Sequence, residues 1–122
     1  MQVPLQIKFR YMEPSAIIDA RIRENCHKLQ RFAEYITSCR VIIDAQHGHQ
    51  HKAILYRAII DISLPGEEII TSHYPAQNQA HENVNVAIRD AFDEARRQLE
   101  GYVRRRRADM KMQDSKLHSK TA

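Results

Sequence analysis

The chain has 122 residues, 43% of them hydrophobic, with 3 glycines, 4 prolines and 2 cysteines, enough for one modest core that needs neither disulfide nor metal. No run approaches the roughly 18 apolar residues of a membrane span, and the opening MQVPLQIKFR lacks the apolar stretch of a signal peptide, so a cytoplasmic protein with no membrane partner is expected. The net charge of +4 is unevenly spread: residues 96–122 hold nine Lys/Arg against three acids, and the remainder holds ten against twelve.

Residues 3–11 alternate. Val3, Leu5, Ile7, Phe9 and Tyr11 are apolar, and Gln6, Lys8 and Arg10 lie between them, the period of a half-buried strand with a basic solvent face. Pro14 and Ser15 end it, and Ser15 caps an expected helix over residues 15–33, whose apolar positions Ile18, Ile22, Cys26, Leu29, Ala33 and Ile36 step by three and four. Cys26 and Cys39 are too few and too isolated for a disulfide framework or a zinc motif, and are expected as small buried apolar residues.

A second strand is expected over residues 39–46, and a third over residues 53–64 with Ile54, Tyr56, Ala58, Ile60, Ile62 and Leu64 facing inward. Pro65-Gly66 signals a turn, and residues 67–74 read as a fourth strand paired back on the third. After a polar connection over residues 75–83, a second helix places Val84, Ile88, Ala91, Ala95, Leu99 and Tyr102 on one face. The order β-α-β-β-β-α predicts an α+β fold, a four-stranded mixed sheet with both helices packed on one face.

At about 100° per residue, Arg89, Arg96, Arg97, Arg104 and Arg107 fall on the side of the second helix away from its apolar stripe. Arg106 falls on the stripe. A buried guanidinium without a partner is costly, so the helix should have left the body by then, with a folded domain over residues 1–107 and a polar, unstructured tail over residues 108–122. Cations near a helix carboxyl terminus also favour the macrodipole, but one or two serve that purpose. Six arginines within residues 96–107 (Arg96, Arg97, Arg104, Arg105, Arg106 and Arg107) point instead to a polyanion, whose phosphates accept the planar guanidinium fork.

The order of elements, the Pro-Gly turn and the segment AIRDAFDEARRQL resemble the ribosome-associated inhibitor and hibernation promoting factor family, once called sigma-54 modulation proteins. In the second helix, Ala87, Ile88, Asp93, Gln98 and Leu99 match the family's pattern, whereas Arg89 replaces an Asp, Glu94-Ala95 replaces Lys-Leu, and Asn85 stands where an aromatic is common. The resemblance covers about residues 3–106 and implies a short-form translation inhibitor. Such a protein binds the small ribosomal subunit in the channel for messenger and transfer RNA in stressed cells, and is not an enzyme.

Together these readings predict contacts to ribosomal RNA, by shape and charge, from Arg89, Arg96, Arg97, Arg104, Arg105, Arg106 and Arg107. Lys8, Arg10 and Arg57 assist from the sheet, and His51 and Lys52 from the polar loop. A general double-stranded RNA-binding module shares this architecture and is the alternative. A third reading takes His47, His49 and His51, alternating on a hairpin, as metal ligands. The chain holds no GxSxG, P-loop, GxGxxG or HExxH pattern, and its acidic pairs Glu67-Glu68 and Asp93-Glu94 suit a solvated surface. No catalytic residue, cofactor or small-molecule substrate is therefore expected.

Overall fold

A computed structural model describes residues 3–47, 54–73 and 84–120. The elements are β1 (Leu5–Arg10), α1 (Ala16–His27), a short 3-10 turn (Gln30–Phe32), β2 (Ser38–His47), β3 (Ile54–Leu64), β4 (Glu67–His73) and α2 (Val84–Lys120). They form the expected four-stranded mixed sheet in the order β1-β2-β3-β4, with β1 parallel to β2 and the other pairs antiparallel. The parallel pair needs a long crossover, which α1 supplies. The β3–β4 link is instead the tight Pro65-Gly66 turn, where Gly66 has φ 75, a left-handed conformation that glycine adopts without steric cost.

Strand register sorts the side chains into two faces. Cys39 pairs with Ile62, Val41 with Ile60 and Ile43 with Ala58 across β2 and β3, and all six are buried. Ile69 and Thr71 of β4 pair with Ile62 and Ile60, extending the same face. One core joins these strand residues to Ile22 and Cys26 of α1 and to Ala87, Ile88, Ala91, Ala95 and Leu99 of α2, so both helices cover that face. Every member of the stripe expected on α2 is buried. The alanines hold α2 close to the sheet, close enough for the Thr71 hydroxyl to donate to the Ala91 carbonyl at 3.2 Å. Farther along, the Tyr102 hydroxyl donates to the Pro65 carbonyl at 3.0 Å and ties α2 to the β3–β4 turn.

Four features differ from the sequence expectation or add to it. Tyr11 does not continue the inward alternation: β1 ends at Arg10, Tyr11 turns the chain at φ 60, and its side chain is 78% exposed. The first helix stops at His27 rather than at residue 33, because the Lys28 N–H donates to the Asn25 carbonyl at 3.1 Å and the Leu29 N–H to the Cys26 carbonyl at 2.9 Å, i→i−3 bonds that tighten the chain into the 3-10 turn. Its cap is the expected one, the Ser15 hydroxyl accepting from the Ile18 N–H at 3.3 Å. Cys26 and Cys39, distant in sequence, are buried free thiols that meet in the core. Cys39 donates to Cys26, which pushes the Cys39 thiol up and draws Cys26 down; burial adds to the rise at Cys39.

The fourth difference concerns the tail. The helix does not end near Arg107; α2 continues to Lys120, 37 residues in all, and no Gly or Pro interrupts it after Gly101. The segment expected to lack structure is therefore helical over residues 108–120, across the boundary expected at 107/108. Residues 104–112 are all exposed, so the helix leaves the body at Val103, the last buried position among the described side chains.

The open face of the sheet carries a buried acid. Asp44 is 3% exposed and accepts from Arg57 Nη2 at 2.9 Å, while Arg10 is its register partner on β1. Replacing it leaves two neighbouring guanidinium groups without the carboxylate between them. Asp44→Ala is expected to lower unfolding free energy by about 1–3 kcal/mol in urea titration.

Candidate nucleic-acid interface

The two helices lie side by side on the sheet, and the cleft between them is lined by cations from both. Arg21 and Lys28 stand on the α1 side of its upper part with Arg89 opposite on α2. Lower down, Arg31 of the 3-10 turn faces Arg104 and Arg107. All of these side chains are exposed, as is Arg96 midway along α2. Residues 89, 96, 100, 104 and 107 follow the three-to-four residue step of a single helix face, so the periodicity that seats α2 on its apolar side also aligns its arginines on another.

Arg21, Lys28 and Arg31 are absent from the sequence reading. Their spacing of seven and three puts them on one face of a continuous helix, and that signal was available. It was obscured because the chain outside residues 96–122 is net acidic, so its cations read as a solvated surface.

The arginine run itself divides. Arg105 turns toward the sheet and donates to both carboxylate oxygens of Glu67, at 2.9 and 3.2 Å, beside Gly101, where a Cβ would stand 3.4 Å from the guanidinium. The Arg106 guanidinium lies over the Tyr102 ring at 5.6 Å from its centroid, which gives the arginine on the stripe an aromatic partner at the body's edge. Arg104 and Arg107 remain on the cleft. Arg97 opens to the other side, near Glu67, Glu94 and Arg105.

The continuation of α2 removes one explanation of the run. A macrodipole acts within the last turn of a helix, and these arginines stand more than three turns before Lys120. Their concentration is not a capping device.

The sheet cations belong to a different face. Lys8 lies in a row with Ile42 and Ile59 on the side turned away from the helices. Arg10 and Arg57 flank Asp44, and Arg40 pairs with Asp61 at 3.4 Å. Among the described residues, four cations on this face therefore stand among three acids, Asp44, Asp61 and Glu68, and the fold does not bring Lys8, Arg10 or Arg57 together with the α2 arginines. Of the polar loop, His49, His51 and Lys52 lie outside the described residues, as does the side chain of His47. Among the described residues, no group of three His, Cys, Asp or Glu is placed to hold a metal, and no helix is long and apolar enough to cross a membrane.

The profile of the sigma 54 modulation protein / S30EA ribosomal protein family matches residues 5–107. The chain belongs to this family. Among solved structures, it is similar to the Protein Y N-terminal domain of Thermus thermophilus, with 19% identity and a TM-score of 0.60 over 84% of this chain and 99% of that one. It is also similar to a ribosomal subunit interface protein from Coxiella burnetii, with 14% identity and a TM-score of 0.65 over 82% and 97% of the two chains. No curated protein sequence matches it. The S30EA match ends at Arg107, so it takes in the whole arginine run and leaves out the rest of α2.

Two outcomes follow from the charge arrangement. Glu67→Gln releases Arg105 without removing a cation from the chain, and should raise affinity for a polyanion, read as a higher salt concentration for elution from heparin; unchanged elution would place Arg105 outside the binding field. On the open face, a hydrogen bond with Asp61 and the charge of that neighbour push the Glu68 carboxyl up from its ordinary value, against a smaller opposing pull from Arg40. A carboxyl raised in the folded state contributes stability at low pH and loses it as pH rises through the folded value. Glu68→Gln keeps a neutral donor there, so urea midpoints measured above the ordinary carboxylate range should exceed those of the wild type, and the difference should vanish in acid.

Proposed function

We propose that this protein binds the small ribosomal subunit in the channel that messenger and transfer RNA use, and inhibits translation there by occupancy in stressed cells. The reading carries cytoplasmic residence with it and requires no catalytic step. Its main support is the cation-lined cleft between α1 and α2, on a fold whose family includes ribosomal proteins and whose structural neighbours include a ribosomal subunit interface protein. Folded RNA presents phosphates at close intervals along both walls of its grooves. Two facing rows of basic side chains suit such a surface without reading base sequence. In this reading Arg21, Lys28 and Arg31 on one wall and the arginines of residues 84–107 on the other provide the RNA contacts, and the helical segment after Arg107 extends along the same channel.

Sedimentation through sucrose gradients tests it. The protein should travel with isolated small subunits and be displaced by transfer RNA, and its affinity should fall on the order of 10³-fold between 50 and 200 mM salt if about six phosphates are neutralised. The double variant Arg104→Ala/Arg107→Ala should weaken binding more than Arg105→Ala, because Arg105 is already engaged by Glu67. Equal displacement by any RNA duplex would replace this reading with a general double-stranded RNA-binding module.

A further inference from the structure

The lower end of the cleft differs in kind from the rest. The cavity there, between the 3-10 turn and α2, measures about 520 Å³ and is lined by Phe32 and Tyr35 as well as by cations. That volume falls within the range of about 300–1,000 Å³ found for sites that hold small molecules. Among the described residues, neither the upper part of the cleft nor the cavity beside Glu67, which the Arg105 ion pair lines, has an aromatic wall.

Arg31 is fixed in this cavity by two contacts. Its guanidinium lies over the Phe32 ring at 4.6 Å from the centroid, and Nη2 donates to the Glu100 carboxylate on α2. It nevertheless remains 59% exposed. The result is a planar cation whose orientation is set from below by a ring and from one edge by a carboxylate, with surface left over toward the cavity. Tyr35 is held as well, edge-on to Tyr102 with ring centroids 6.1 Å apart. Arg104 and Arg107 stand three residues apart on the α2 wall, close enough to act on one anion.

We propose that this cavity seats one unpaired nucleotide of an RNA strand, its base stacked on the Arg31 guanidinium and its phosphate held by Arg104 and Arg107. The inference rests on the RNA-binding reading above and narrows it to a subsite. Guanidinium planes and aromatic rings are what splayed-out bases stack on. The charge also fits: Arg31, Arg104 and Arg107 against Glu34 and Glu100 leave a surplus of one positive charge among the lining groups, which balances a phosphodiester better than the two negative charges of a free nucleoside monophosphate.

The test uses the full isotopically labelled chain with three probes: a single-stranded RNA hexamer, adenosine 5′-monophosphate and ribose 5-phosphate. The hexamer should shift the resonances of Arg31, Phe32, Tyr35 and residues 103–107, with adenosine monophosphate weaker at the same positions. If the monophosphate binds as tightly as the hexamer, the site holds but its source is a free nucleotide. Equal shifts from ribose 5-phosphate, or none from any probe at these residues, overturn it.

Arg31→Lys keeps the charge and removes the plane. It should weaken hexamer and small-subunit binding by about 5- to 50-fold with the salt dependence unchanged, and wild-type affinity in this variant overturns the stacking role. Arg104→Gln/Arg107→Gln, both exposed, tests the phosphate arm independently. The two readings fail separately. Loss of subunit binding by the wild type, with the hexamer shifts retained, removes the ribosomal reading and leaves the nucleotide seat. Wild-type sedimentation matched by Arg31→Lys removes the seat alone.

Discussion

The packing of α2 against β3 and β4 through small side chains sets the geometry of everything else in the molecule. Ala87, Ala91 and Ala95 are fully buried, flanked by Ile88 and Leu99, and their small volume draws the helix axis toward the sheet until Thr71 reaches a helix carbonyl. A helix held that closely has its rotation fixed. Once Ile88 and Leu99 are in the core, the 3.6-residue period leaves Arg89, Arg96, Arg104 and Arg107 no choice of direction. The same rotation carries Glu100 to Arg31 and Tyr102 to Tyr35 and Pro65. Core packing and site geometry are thus two readings of one angle.

The two faces of the domain treat charge in opposite ways. On the open sheet face, strand register places Asp44 between Arg10 and Arg57 and brings Arg40 to Asp61, so the field is largely cancelled where it arises. On the helix side the cations outnumber their partners, because acids such as Glu67 and Glu100 each engage one arginine and leave others to solvent. Surface ion pairs of this sort contribute little to stability, about 0–1 kcal/mol each. Their effect is to decide which guanidinium groups stay available and which way those groups point.

Most of the fold was legible because its elements have clean periods. The alternation in residues 53–64 and the α2 stripe each point one way, and the structure buries Ala58, Ile60, Ile62 and Leu64, and Val84 through Tyr102 at the expected steps. The misreadings occur where a local pattern meets a constraint from elsewhere. Tyr11 continues the apolar alternation of β1, but the chain must turn there to begin α1, and the turn overrides the pattern. Helix α1 is cut short by the return into β2. The site was legible as a concentration of charge and not as a geometry, since Glu67 lies 38 residues from Arg105 and Glu100 lies 69 from Arg31. No spacing rule connects residues so far apart.

Over residues 104–112 the last helix buries no side chain, yet it continues as a helix to Lys120. At 1.5 Å per residue its final 17 residues reach about 25 Å past the body. A flexible tail of that length would sample a volume; a helix transmits both distance and phase. Each residue added or removed just after Arg107 changes the reach by about 1.5 Å but rotates whatever lies beyond by about 100°. The segment is therefore a screw thread between the folded body and its far end: a change by whole turns keeps the phase of that end, and a change by half a turn reverses it.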